Sequence, residues 1–258
     1  MTETENPIVG KWAKLRLIGK GGQGEVWLVY ERVTPTEEQI KNCKRLFKLG
    51  KETMESERHQ GDNTKSIIED IWEFANRDVQ LGALKSLLPP DQATNAKGAR
   101  SQMEKEINAI QQVSHPGLLK LFDVGPNLDW YVSEYCPNGN LANQLDRFVG
   151  DPLKTLKCIR QLLDGISLLH EKSIIHRDIK PENIFVGNND RLILGDFGIA
   201  YVLDETRNTL THENKGSRDW MPAWAQGLRL DSVKPTFDVY SIGKVIWSMI
   251  SGQPKMRL

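Results

Sequence analysis

Eight consecutive residues, His176-Arg177-Asp178-Ile179-Lys180-Pro181-Glu182-Asn183, place a carboxylate, an ammonium and a carboxamide close together, and Asp196-Phe197-Gly198 follows after one intervening strand-like run, Leu192-Ile193-Leu194. Phosphoryl transfer is the chemistry such a set suits. It demands in-line positioning and neutralisation of oxygen charge more than covalent bonding to the protein. One carboxylate, one cation and a few oxygen ligands for a metal suffice. Upstream, Gly19-Lys20-Gly21-Gly22-Gln23-Gly24-Glu25-Val26 follows the pattern G-x-G-x-x-G-x-V, whose missing side chains let backbone amides approach a nucleotide's phosphates. Taken alone, the pattern is equally that of an ordinary hairpin turn. Its setting between two strands argues against a dinucleotide site, which needs the glycines to open a helix.

Ala83-Leu84-Lys85 lies in a strand, where a lone lysine is normally a solvated edge residue. Glu106 on the next helix offers a partner, and their ion pair would hold the Lys85 ammonium toward the α and β phosphates. Glu104, rotated off that face, is the second choice.

At the eight-residue segment the chain resembles the eukaryotic-type protein kinase family, serine/threonine type. The resemblance implies that Asp178 accepts the proton of a substrate hydroxyl, Lys180 steadies the transferring group, and Asn183 and Asp196 hold Mg²⁺. It implies ATP as phosphoryl donor. Gly19, Gly21, Gly22 and Gly24 then cover the phosphates, Ile18, Val26 and Ala83 meet one face of adenine, Phe185 meets the other, and the backbone of Glu134 to Cys136 binds its edge. Ser133 becomes a small gatekeeper. Ile110, Leu121, His176 and Phe197 form a stacked spine anchored by Asp238. As single residues, all these apolar positions read equally well as ordinary core.

The elements that must position these groups are legible from hydrophobic period. Leu15 to Ile18 and Val26 to Tyr30 read as a hairpin, and Val79 to Leu88 as a further strand. Met103, Ile107, Ile110 and Val113 mark a helix over Ala99 to Val113. Strands follow at Leu118 to Val124 and Trp130 to Cys136. Leu156, Ile159, Leu162, Leu163, Ile166 and Leu169 then line one face of a long helix, and Phe237 to Ile250 reads as a buried one. The expected fold is therefore α+β and bilobal: a small antiparallel-sheet N-lobe with one key helix over 1–136, and a mainly helical C-lobe over 137–258 that is incomplete after the helix beginning near 237.

Bulk properties narrow the alternatives. Lys plus Arg and Asp plus Glu each total 34 in 258 residues, so no basic excess favours nucleic acid. Cys43, Cys136 and Cys158 show neither disulfide nor zinc spacing, and the polar start lacks an export signal. No segment reads as membrane-spanning. A cytoplasmic setting is expected.

Lys180, two residues after Asp178, implies serine or threonine acceptors on protein substrates. Arg177 suggests control by activation-loop phosphorylation. Thr209 and Thr211 are placed like sites that bacterial relatives phosphorylate in trans, although exposed loop threonines would look the same.

Two departures stand out. Pro222-Ala223-Trp224 replaces the family's Ala-Pro-Glu, and about forty extra residues, 34–76, intervene between the second and third strands. Capping boxes at Thr34-Pro35-Thr36-Glu37 and Ser66-Ile67-Ile68-Glu69 predict two helices there. The shortened lobe would expose part of the last helix, so a protein partner is expected on that face or on the insertion. The rival readings are a pseudokinase scaffold and a small-molecule phosphotransferase.

Overall fold

The computed structural model describes residues 8–21, 24–31, 80–89, 91, 95–198, 200–202, 219–222 and 234–253. The insertion, Gly22, Thr209, Thr211, Ser217 and Trp224 lie outside the described residues. The fold class is the expected one: α+β and bilobal, with an antiparallel sheet and, among the described residues, a single helix in the N-terminal lobe and a mostly helical C-terminal lobe. By compactness the chain divides into Met1–Gly21 with Glu25–Lys85, and Gly22–Gly24 with Ser86–Leu258.

In the first unit, β1 (Ile8–Val9) pairs antiparallel with β2 (Trp12–Lys20), which pairs antiparallel with β3 (Gly24–Glu31). The register sets Gly19 opposite Val26 and shifts twice, between Lys14 and Arg16 and between Leu17 and Gly19. Such irregularities bend a strand and strengthen its twist. Trp12, Ala13, Leu28 and Val29 are buried. Lys20 reaches across the hairpin to Glu25, 2.9 Å away. A fourth strand, β4 (Leu81–Leu87), runs up to the division at Lys85, and Glu31 N–H donates to Gln80 C=O at 2.9 Å just before it.

The second unit opens with the end of β4, where Leu87 N–H donates to Asp129 C=O at 3.0 Å. Helix α1 (Ala96–Gln111) starts at Asn95, whose side chain accepts the Gly98 N–H, one of the donors a helix cannot satisfy itself. Met103, Ile107 and Ile110 of the expected stripe are buried, joined by Ala99, Glu106 and Ala109. The hairpin β5 (Leu121–Val124) and β6 (Trp130–Glu134) follows. Next comes α2 (Pro152–Glu171), with Asp151 capping through Lys154 N–H and a proline in its first turn. Ile159, Leu162, Ile166 and Leu169 are buried, but Leu156 is 56% and Leu163 39% exposed. The six apolar positions span too wide an arc: at 100° per residue Leu156 and Leu163 sit roughly 90° from the centre of the buried stripe.

Short pairs complete the frame. β7 (Ile174–Ile175) pairs with β10 (Tyr201–Val202), and β8 (Ile184–Val186) pairs with β9 (Leu192–Leu194). Helix α3 (Thr236–Ser251) buries Phe237, Asp238, Ser241, Ile242, Lys244, Val245, Ser248 and Met249, while Val239 is 58% exposed. The buried-helix expectation therefore holds for one side of α3. Among the described residues, no helix is long and apolar enough to cross a membrane.

Gly117 marks the tightest approach between the 115–119 segment and α2. A Cβ there would lie 2.3 Å from the backbone oxygen of Gln161 and 3.0 Å from its carbonyl carbon. Neither atom can rotate away. Gly117→Ala is expected to cost about 1–3 kcal/mol through backbone displacement, read as a lower urea midpoint. An unchanged midpoint would contradict the close approach.

Candidate active site

The catalytic-loop candidates belong to one unit and are bound to each other. Lys180 Nζ lies 2.8 Å from Asp178 Oδ2. Asn183 Nδ2 donates to the same oxygen at 2.9 Å and to the Asp178 backbone oxygen at 2.8 Å. One carboxylate oxygen thus receives a cation and an amide, which fixes its direction. Asn183 heads the exit from a 3-10 turn, Pro181–Asn183, and its C=O accepts Gly195 N–H at 2.9 Å. That bond ties the loop to the segment carrying Asp196. β8 and β9 supply the rest of the tie, because they join Asn183 to Gly195 through an antiparallel hairpin.

Beneath the loop is Asp238, 0% exposed at the start of α3. Its Oδ2 accepts His176 N–H at 2.9 Å and faces His170 Nε2 at 2.9 Å, while Oδ1 accepts Arg177 N–H at 2.9 Å. A buried carboxylate is tolerable only when its oxygens are met in this way. Arg177 has φ 70° and Asp196 φ 58°, a region disfavoured for residues with a Cβ. The strained peptide at Arg177 is held by the bond its own N–H makes to Asp238.

His176 connects the two segments. Its Nδ1 accepts Asp178 N–H at 3.3 Å, so the ring proton is on Nε2, which donates to Gly195 C=O at 3.0 Å. Its ring meets Phe197 edge to face, with centroids 4.9 Å apart. Both rings are fully buried, and Phe197 shares a core with Ile110 and the partly buried Leu121. The expected spine residues therefore lie in one apolar cluster, with Asp238 hydrogen-bonded to the His176 backbone.

Glu106 is 1% exposed and accepts the Tyr131 hydroxyl at 2.8 Å. Tyr131 was not singled out from sequence: it lies on a different element, and nothing local announces the bond. His170 was likewise missed. Glu134 turns its side chain toward Arg191 Nη2, 2.7 Å away, and Lys120 N–H, 3.0 Å away. Its backbone N–H donates to Lys120 C=O at 2.9 Å, and its own C=O accepts the Ser133 hydroxyl at 3.4 Å. Cys136 packs with Leu119, Ile193 and Phe185. Burial, helped by the neighbouring Glu134 charge, pushes its thiol up to about 12, so it is a neutral packing group at physiological pH.

The remaining candidates lie along β2, β3 and β4. Ile18 and Gly19 are on β2, Val26 on β3, Ala83 and Lys85 on β4. A Cβ on Gly24 would fall 2.5 Å from the Ser86 backbone oxygen, so this glycine is required by packing alone. Among the described residues, a Cβ on Gly21 would meet nothing within 4 Å.

The donor set suits Mg²⁺. Asn183 spends its amide nitrogen on Asp178, which leaves its side-chain oxygen as the atom that could ligate a metal, and Asp196 adds a carboxylate. Mg²⁺ is commonly held by one or two carboxylates together with phosphates and water. Among the described residues there is no cluster of three or more His, Cys, Asp or Glu that could hold a metal ion.

Comparison with known proteins agrees with this geometry. The protein kinase domain family model matches residues 71–257. The chain belongs to the protein kinase family. Relatives come from distant lineages: a mitogen-activated protein kinase kinase kinase, MST11, of Pyricularia oryzae is 29% identical over 67% of this chain and 20% of its own length. Aurora kinase A-A of Xenopus laevis is 29% identical over 61% of this chain and 38% of its own. The probable serine/threonine-protein kinase PknB of Lactococcus lactis is 29% identical over 70% and 28% respectively. This kinase-family chain thus spans well under half the length of each.

Proposed function

We propose that this kinase-family chain is an ATP- and Mg²⁺-dependent protein serine/threonine kinase. The observation that carries the reading is the convergence of Lys180 and Asn183 on one oxygen of Asp178, in a loop pinned to Asp238. When bound, Mg·ATP supplies the transferable γ-phosphoryl group and the metal charge that offsets its oxygens. Asp178 orients an acceptor hydroxyl and takes its proton. Lys180 moderates the charge of that carboxylate and would steady the transferring group. Asn183 and Asp196 offer the metal its oxygens. Lys85, with Glu106 as partner, and the glycine segment at 19–24 serve the phosphates, while Phe185 and the backbone of 134–136 serve adenine. The lobe boundary is proposed at Cys136, with Lys85, Glu106 and the glycine segment before it and Asp178, Lys180, Asn183, Phe185 and Asp196 after it. Serine or threonine specificity rests on Lys180, and a reducing cytoplasm suits the free thiols of Cys136 and Cys158. A protein partner on α3 or on the 34–76 insertion remains part of this proposal.

The test uses the whole chain with radiolabelled ATP, Mg²⁺ and a generic protein acceptor, with nucleotide binding measured on the same preparation. Label on serine or threonine is expected. Mg·ATP binding without transfer would overturn the kinase reading in favour of a scaffold, and transfer only to aminoglycosides would overturn the protein-substrate reading.

Autophosphorylation at Thr209 or Thr211 is a second expected outcome. Phosphosite mapping after incubation with ATP should find the modification in wild type and lose it in Asp178→Asn. Equal modification in both would sink self-phosphorylation, and neither threonine modified would sink the assignment.

A further inference from the structure

We propose that a second small-molecule site lies in the cleft between the C-terminal end of α1 and the strand pair β5–β6, and that it takes an apolar monoanion such as an aryl or alkyl carboxylate. The cleft encloses about 490 Å³, within the range of pockets that hold small ligands. Its floor is apolar, formed by Ile110, Leu118 and Leu119, all buried. Hydrogen-bond donors gather at its edge.

The charge at that edge does not balance. Arg191 is committed to Glu134 at 2.7 Å and to the Pro116 carbonyl at 3.0 Å. Lys120 also lines the cleft, and its ammonium lies 5.7 Å from the Phe122 ring centroid, with no carboxylate partner among the described residues. Arg191 and Glu134 cancel, and Lys120 leaves one positive charge. His115 adds a neutral donor: its Nδ1 accepts Gly117 N–H at 3.0 Å, so the ring proton is on Nε2. An apolar floor beneath one surplus cation and extra donors favours a ligand with an apolar body and a single negative head.

The position of the cleft gives such a ligand a consequence. Lys120 and Glu134 exchange backbone and side-chain bonds, with Glu134 N–H donating to Lys120 C=O at 2.9 Å and Lys120 N–H to Glu134 Oε1 at 3.0 Å. Leu119, on the floor, packs in the cluster of Cys136, Ile193 and Phe185. A ligand drawing on Lys120 therefore acts on the same short segment, 134–136, that is proposed to bind adenine, and the inference to altered nucleotide affinity rests on that proposed function.

The experiment is calorimetry and saturation-transfer NMR on the whole chain, with 2-naphthoate as the anionic probe and 2-naphthalenemethanol as its neutral counterpart. Lys120→Met and Ser114→Trp change exposed residues lining the cleft, and thermal melts confirm that both fold. Naphthoate should bind wild type, about tenfold more weakly to Lys120→Met for loss of a charge-assisted contact, and not at all to Ser114→Trp, whose indole occupies the mouth. The neutral probe should bind about as weakly as naphthoate binds Lys120→Met. No naphthoate binding to wild type, or equal binding to all three proteins, overturns the site. Equal affinity for both probes overturns the anion assignment. Mg·ATP affinity, measured with and without naphthoate, should differ by about fivefold or more, and identical values overturn the coupling. A chain that binds no Mg·ATP without naphthoate fails the kinase reading, while the naphthoate comparisons still decide the site.

Discussion

In a preparation that transfers label from ATP, Asp178→Asn will lower the transfer rate by about 10²- to 10⁴-fold, the range a positioned general base contributes. The geometry separates this loss from unfolding. Asp178 Oδ2 receives Lys180 Nζ and Asn183 Nδ2, and the Asp178 backbone oxygen receives a further bond from Asn183. An asparagine keeps one oxygen to accept from the neighbouring groups, and it leaves the backbone bond untouched. It cannot take a proton from an acceptor hydroxyl at neutral pH. Thermal midpoint and Mg·ATP affinity should therefore stay close to wild type while initial rates collapse. A rate within tenfold of wild type would remove Asp178 from the proposed role.

Asp238→Ala will destabilise the fold by about 3 kcal/mol or more, since it strands the backbone N–H groups of His176 and Arg177, and each buried unsatisfied donor costs about 1–3 kcal/mol. For a chain of this size that corresponds to a fall in thermal midpoint of roughly 6–12 °C. Asp238→Asn should fall between: it retains one acceptor but presents an amide hydrogen to a donor. Arg177 at φ 70° loses this clamp in Asp238→Ala, so transfer activity in that variant should fall further than stability alone explains. Urea titration read by circular dichroism gives the number. A change under about 0.5 kcal/mol, the size of an ordinary surface substitution, would mean that the amides find other partners.

The active loop was readable because its chemistry is local. Asp178, Lys180 and Asn183 lie within one turn of chain, and their mutual bonds follow from that proximity. The stripe Met103, Ile107 and Ile110 was readable for a similar reason, since a helix repeats its neighbours every three or four residues. The Tyr131–Glu106 bond joins two elements 25 residues apart, and the Arg191–Glu134 pair spans 57. The helical face singled out Glu106, but nothing local pointed to Tyr131 as its partner or to Arg191 as the partner of Glu134. Periodicity also overstated the buried side of α2, because it reports that Leu156 and Leu163 are apolar and cannot report whether a neighbour covers them. The left-handed conformations of Arg177 and Asp196 were hidden for a different reason: residues with a Cβ carry no local preference for them, and the surrounding hydrogen bonds impose them.

The distance between Asp238 and the amides it binds has a consequence for biosynthesis. The bond to His176 joins residues 62 positions apart, so a nascent chain has already made its whole catalytic loop long before the group that shapes it leaves the ribosome. Closing so wide a loop is an entropic cost met only when α3 docks. Until then the turn at Arg177 lacks the bond to Asp238 that helps hold it. Order of synthesis thus places the completion of this hydrogen-bond set after the emergence of Asp238 and the docking of α3.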